Sequence, residues 1–338
     1  MFSFKLIQVN TVMIRPMDKD FAVIRSQQLP SMLSIAGGGD YDKIWIRDNV
    51  YVALAFVQAG RTAEAAQIYE QLYKIIKRYE HILDRRAYPT QDSELLHPRF
   101  TVSGDVVGQN WSNKQHDAVG ALLYGVGQIY TIDNKYVSSS MRELSQKLIN
   151  YLEACRYWED EDNGIWEEDP ALHSSSLAAC IRGLEMVSNF CTFDKQKHEL
   201  AKANLAALLP LESSRHAKDM ALLTLVWPYG YKLADLVAIV ETDLLRAHGV
   251  IRYIGDQYEA TGSDEPQWVL GIPWLGIAHY ELGDIDKAKE YLQRTEELYT
   301  EHGLPESYTA DNEACMHTPL AWSHAIAIVL RAKLASAE

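Results

Sequence analysis

Two glutamates carry the chemistry this sequence offers. Glu167 sits in Asp162-Asn163-Gly164-Ile165-Trp166-Glu167-Glu168. Glu306 sits in Gly303-Leu304-Pro305-Glu306, ahead of Pro319-Leu320-Ala321-Trp322-Ser323-His324. A pair of carboxylates among aromatic rings is what cleavage of a glycosidic bond requires: one acid, one base, and flat apolar faces for a sugar. Glu167 and Glu168 are neighbours, so on a regular helix or strand their side chains diverge, and only one of them is the proton donor. An acid working near neutral pH needs burial or a nearby negative charge to hold its proton. Trp166 supplies a dry wall and Glu168 the charge, although the acidic run Glu159-Asp160-Glu161-Asp162 upstream also allows a plain solvated turn. Glu306 follows Pro305 among Ser307, Thr309, Asp311, Asn312 and Glu313. That setting suits a water-activating base and equally suits an ordinary solvated glutamate.

Arg47 and Asp48 stand in an apolar context, where an unpaired buried charge costs several kcal/mol, roughly 3–5 when a partner is removed. They are either a structural ion pair or a clamp on sugar hydroxyls. Trp45, Trp111, Trp166, Trp268 and Trp322 each read as core or as sugar platform, but all five share one placement. Trp45-Ile46-Arg47-Asp48-Asn49 opens an apolar helical segment, and Trp111-Ser112-Asn113-Lys114-Gln115-His116-Asp117 opens the next. Trp166-Glu167-Glu168 precedes the helix near Leu177 to Val187, Pro266-Gln267-Trp268 opens another, and Glu306 lies in the loop before Trp322.

The elements that must position these residues alternate in kind. Val50 to Val57, Val119 to Tyr130, Val269 to Tyr280 and Leu320 to Leu330 are apolar nearly all round. Ala63 to Tyr79, Met141 to Leu152, Lys195 to Leu209 and Ile285 to Tyr299 are charged on one side. Helices apolar on every side are buried, and amphipathic ones cover them. Alternation along one chain predicts inner and outer shells of about twelve helices joined as hairpins. The expected fold is all-α, an (α/α)6 barrel forming one catalytic domain over 1–338. Residues 1–30 are expected to be a β or irregular segment packed on the barrel, with a short strand near 2–14. In such a barrel the helix starts converge on one rim and make a pocket. The rival is a repeat solenoid, since Ala59 to Ala66 and Leu282 to Lys289 resemble tetratricopeptide turns, but no 34-residue period links them.

Composition narrows the class. The 338 residues are 47% hydrophobic, enough for a large core, and the formal net charge of −14 disfavours nucleic acid and anionic membrane as partners. No run reaches the ~18 apolar residues a membrane span needs, and the N-terminus does not read as a secretory signal. Cys155, Cys180, Cys191 and Cys315 form no C-x-x-C pair and read as reduced buried thiols, which fits a cytoplasmic location. An EF-hand centred on Gly164 would place Pro170 at its twelfth position, where it cannot ligate. No metal site, cofactor or phosphate-cradling loop is expected.

These segments, in order from about residue 40 to 330, resemble glycoside hydrolase family 15, the glucoamylase-like enzymes, whose fold is shared by the phosphorylase kinase regulatory subunits. The resemblance implies an (α/α)6 barrel and hydrolysis of terminal α-glucosidic bonds with inversion, releasing β-D-glucose and needing no cofactor. It implies Glu167 as general acid, Glu306 as general base and Glu168 as a subsite ligand beside the acid. Trp45, Arg47 and Asp48 are similar to the residues holding the non-reducing glucose. Trp111, Gln115 and Asp117 resemble a substrate wall, Arg252, Tyr253 and Trp268 resemble further pocket-lining residues, and Trp166 and Trp322 complete the site. Ile251-Arg252-Tyr253-Ile254-Gly255-Asp256-Gln257-Tyr258 is similar to the phosphorylase-kinase-like branch, which leaves open a glucan-binding protein with little turnover. The expected partner is an α-glucoside oligosaccharide, with trehalose or isomaltose as alternatives.

Overall fold

The segments that are apolar on every side form an inner ring, and the amphipathic ones cover it. The computed structural model describes residues 15–108, 111–258 and 264–337. Its helices are α1 (Met17–Gln27), α2 (Ile46–Gln58), α3 (Thr62–Lys77), the single turn α4 (Glu80–Leu83), α5 (His116–Ile132), α6 (Ser139–Ala154), α7 (Ser174–Val187), α8 (Lys195–Leu208), α9 (Leu223–Val226), α10 (Ala234–Ile239), α11 (Gly271–Glu281), α12 (Ile285–Glu296) and α13 (Ala321–Ala335). Inside, α2 packs on α5, α5 on α7, α7 on α9, α9 on α11, α11 on α13, and α13 returns to α2. Outside, α3, α6, α8, α10 and α12 follow the successive inner helices, and α1 packs on α13. This is an (α/α)6 barrel. Closure of the ring excludes a solenoid, whose units touch only their sequence neighbours.

The two shells differ in burial as their sequences predict. Ile272 to Ala278 of α11 are all buried, whereas α12 buries only Ala288, Tyr291, Leu292 and Thr295, a stripe at i, i+3, i+4 and i+7. Outer helices start on side-chain caps: Ser138 accepts from the Met141 N–H, and Asp194 from those of Gln196 and Lys197. The inner pair α5 and α7 approaches backbone to backbone. A Cβ on Gly120 would lie 2.5 Å from the Ala179 carbonyl carbon, and one on Gly183 would lie 2.4 Å from the Gly120 oxygen. Any side chain there would force the ring apart.

The N-terminal expectation needs correction. The strand near 2–14 lies outside the described residues, and part of 1–30 is the regular helix α1. Asp20, Phe21, Ile24 and Gln27 are its buried residues, so one face of α1 packs inward and makes it the outer partner of α13. Two short antiparallel ladders stiffen the rim. β1 (Ile44–Trp45) pairs with β2 (Arg99–Phe100), and β3 (Gln267–Trp268) with β4 (Ser307–Tyr308). The stretch holding Glu306, expected as loop, thus leads into a strand. Among the described residues no helix is long and apolar enough to cross a membrane.

Candidate active site

A cavity of ≈220 Å³ opens where the inner helices begin. Glu167 and Glu306 both line it, as do Trp45, Arg47, Asp48, Trp111, Trp166, Glu168, Arg252, Trp268 and Trp322. Ala36, Tyr41, Ile165, Tyr258, Leu270 and Leu320 complete the wall; sequence reasoning did not single them out. Gln115, Asp117 and Tyr253, expected as substrate contacts, are not among its lining residues. Each lies behind a lining residue and holds it.

Arg47 is the hub of one side. Its Nε donates to Asp117 Oδ2 at 2.8 Å, Nη2 to Gln115 Oε1 at 2.5 Å, and Nη1 to the Ile165 carbonyl at 2.7 Å and Glu167 Oε1 at 3.4 Å. One guanidinium therefore ties the starts of α2 and α5 to the turn carrying Glu167. Burial opposes its charge, but Asp117 and then Glu167 outweigh that and raise its pKa. The beginning of α2 is fixed by Asn49, which exchanges hydrogen bonds with the backbone of Ser34 and donates to the Trp45 carbonyl. Asp48 is pushed up to about 7, chiefly by burial and further by Glu167, against the pull of Arg47.

The turn carrying Glu167 is held from behind. Asp162 accepts from the His116 N–H and the Ser176 hydroxyl, and Asn163 exchanges hydrogen bonds with the backbone of Lys114. Gly164 and Glu167 both adopt left-handed backbone, with φ of 62° at each. That conformation costs a non-glycine residue about 1–2 kcal/mol and marks a site whose surroundings over-determine it. Glu167 and Glu168 lie in a turn, not in a helix or strand, and both line the one cavity. Their partners differ. Glu167 Oε2 accepts from the indoles of Trp111 at 2.5 Å and Trp45 at 3.4 Å. Glu168 accepts the Tyr253 hydroxyl at 2.7 Å and pairs with Arg252 Nη2 at 2.9 Å.

Arg252 is in turn gripped by buried Asp256, at 2.7 Å and 2.5 Å, and Asp256 also accepts the Trp268 indole at 3.0 Å. Sequence reasoning quoted Asp256 without assigning it a role; its signal was the i, i+4 charge pair with Arg252. Glu306 is pinned through its backbone: its N–H donates to the His317 carbonyl and its carbonyl accepts from Val269. Its Oε1 accepts the Tyr41 hydroxyl at 3.0 Å. Burial, then the neighbouring Glu306 and Tyr258, raise Tyr41 far above the usual tyrosine range, so it acts as a donor. Trp166, Trp268 and Trp322 form a continuous apolar floor, with ring centroids 5.9 Å and 6.4 Å from Trp166.

Behind Trp166 lies a buried polar cluster. The indole donates to Asp219 at 2.8 Å, and burial followed by Glu212 raises the Asp219 carboxyl. His173, beside Glu212 at 3.4 Å, is raised to about 9: burial opposes its charge, but the hydrogen bond to Glu212 and the nearby Asp162 and Asp219 outweigh it. Among the described residues, no group of three or more His, Cys, Asp or Glu side chains is placed to hold a metal ion. The four cysteines are unpaired; Cys155, Cys180 and Cys191 are buried, while Cys315 is only partly so.

Glu167 and Glu306 thus line one cavity at the rim of an (α/α)6 barrel, among tryptophan side chains. Residues 22–207 match the family model described as glycosyl hydrolases family 15, more than half of the chain, and the chain belongs to that family. Residues 274–302, the α11–α12 hairpin, also match a model described as tetratricopeptide repeat. A solved structure described as a glycosidase variant is 22% identical, with a TM-score of 0.82 over 94% of this chain and 96% of that one. A glycosidase variant in complex with glucose has a TM-score of 0.81 at the same identity and coverage. The glucoamylase of Saccharomycopsis fibuligera is 14% identical, with a TM-score of 0.73 and 98% of each chain covered. No curated protein matches.

Proposed function

We propose that this protein is an inverting, exo-acting α-glucosidase that removes glucose from the non-reducing end of small α-gluco-oligosaccharides. The observation that carries this reading is the joint placement of Glu167 and Glu306 on the wall of one small cavity. Glu167 is the general acid, delivering a proton to the leaving oxygen. Glu306, oriented by Tyr41, is the general base that takes a proton from water as the water attacks the anomeric carbon from the opposite face. Arg47, Asp48, Glu168 and Arg252 are the hydroxyl-binding side chains, and the tryptophans are the apolar faces. A structural neighbour described as a glycosidase in complex with glucose supports a glucose-sized ligand. No cofactor takes part, and the cytoplasm is the expected place of action.

One observation favours a second reading, a glucan-binding protein with little turnover. Both Glu167 oxygens are already engaged by protein N–H groups, Oε2 by Trp111 and Trp45 and Oε1 by Arg47, which suits a fixed binding wall. Incubation with reduced maltooligosaccharides separates the two. Loss of one glucose at a time supports the enzyme, saturable binding without products supports the binding protein, and mixed internal fragments contradict exo action.

A further inference from the structure

We infer that His324, oriented by Asp20, is a positioning residue for Glu306, and that the outer helix α1 thereby takes part in turnover. The inference rests on the assignment of Glu306 as base. His324 is fully buried on α13, between the turn 303–306 and helix α1. Its Nε2 accepts the backbone N–H of Leu304 at 2.9 Å, two residues before Glu306. A ring nitrogen that accepts carries no proton, so the proton sits on Nδ1, which lies 2.7 Å from Oδ1 of Asp20. Asp20 is thus the acceptor that selects the tautomer Leu304 needs. The geometry is that of a carboxylate–imidazole pair whose far end grips a peptide N–H instead of a hydroxyl or a metal.

The rest of the turn is gripped as closely. The Leu304 carbonyl accepts from the Leu320 N–H at 2.9 Å, and the Pro305 carbonyl accepts the Ser323 hydroxyl at 3.0 Å. With Glu306 held by His317 and Val269, the backbone of 304–306 is tied to Val269 ahead of α11, to α13 and to the 317–320 stretch. His324 is itself held by a buried carboxylate at 2.7 Å. Asp20 is fully buried and also accepts the Tyr299 hydroxyl at 2.5 Å, with Arg331 Nε at 3.3 Å. A Cβ at Gly303 would lie 2.6 Å from His324 Nε2, so the turn sits directly on the ring. Both Asp20 and His324 fall outside the residues matched by the family model. A buried carboxylate and imidazole with no contact to the cavity are costly features to retain for packing alone.

The test compares His324→Asn, which keeps a donor toward Asp20 but cannot reach Leu304, with His324→Gln, which keeps an acceptor at the Nε2 position. Displacing a catalytic group by about 1 Å costs on the order of 10²-fold in rate. His324→Asn is therefore expected to lower kcat about 10- to 100-fold with KM within about 3-fold, while His324→Gln retains most of kcat. Equal losses in both variants, a fall in kcat/KM through KM, or full activity per folded molecule in His324→Asn overturns the inference. Amide hydrogen exchange across 303–308 is measured on the same proteins. Selective loss of protection there in His324→Asn, and not in His324→Gln, is expected whether or not a substrate has been found. Unchanged protection overturns the inference on its own. Wild-type protein that turns over none of the sugars, yet shows this exchange pattern, defeats the assignment of Glu306 as base while leaving the clamp in place.

Discussion

Tyr41 donates its hydroxyl to Glu306 at 3.0 Å while its ring lies flat on His317, 3.8 Å between centroids and 9° from parallel. The stack fixes the ring, and the ring aims the hydroxyl at the carboxylate. Tyr41→Phe keeps the stack and removes only the oxygen. A hydrogen bond to a charged group contributes about 1.5–3 kcal/mol, so kcat is expected to fall roughly 10- to 100-fold with KM little changed. Steady-state kinetics check this, and a change in KM alone would remove Tyr41 from the account of the base.

Asp117 is expected to matter through stability and not through sugar binding. It is buried and sits 2.8 Å from Arg47 Nε. Asp117→Ala leaves that guanidinium without its main counter-charge, and breaking a buried pair costs about 3–5 kcal/mol. Asp117→Asn, which still accepts a hydrogen bond, is expected to cost less. Denaturant unfolding of both variants measures this. A stable Asp117→Ala protein with raised KM would return Asp117 to the substrate wall.

The rim was largely legible in the sequence because its chemistry sits at helix starts, where an apolar run begins beside a tryptophan. Trp45, Arg47, Asp48, Trp166, Glu167 and Trp268 share that signature, and all line the cavity. Gln115 and Asp117 share it too, yet they face Arg47, because which side of a helix start meets the cavity depends on tertiary packing and not on local sequence. Tyr41 follows three glycines in a stretch without periodicity, so nothing local announced it. His324 and Asp20 were hidden by separation, since 304 positions lie between two groups that touch. The helical nature of α1 was missed because an expected strand upstream drew its residues into one irregular segment.

Stability should fall as pH rises through the range in which His173 loses its proton. Its pKa is raised from 6.5 to about 9 in the folded protein, by Glu212 and the neighbouring Asp162 and Asp219 against the opposing effect of burial. A raised histidine stabilises fully below its unfolded value and loses that contribution as pH passes the folded one, with a slope of at most about 1.4 kcal/mol per pH unit for one proton. The gap in stability between wild type and His173→Gln is therefore expected to be widest below pH 6.5 and to close towards pH 9. Thermal melts across that range check it, and a gap that widens with pH would mean His173 is neutral in the folded state.

The most direct test of the account follows the anomeric protons of released sugar by NMR. Purified protein is mixed with maltose, isomaltose, kojibiose, nigerose, trehalose or maltooligosaccharides, with Glu306→Gln and Glu167→Gln run alongside. General acid and base catalysis each contribute about 10²- to 10⁴-fold, so either variant is expected to lose turnover on that scale. The expected result is β-glucose appearing first from at least one substrate, before mutarotation, and its near loss in both variants. Early α-glucose, or undiminished turnover in Glu306→Gln, would contradict the assignment of Glu306 as the base that activates water.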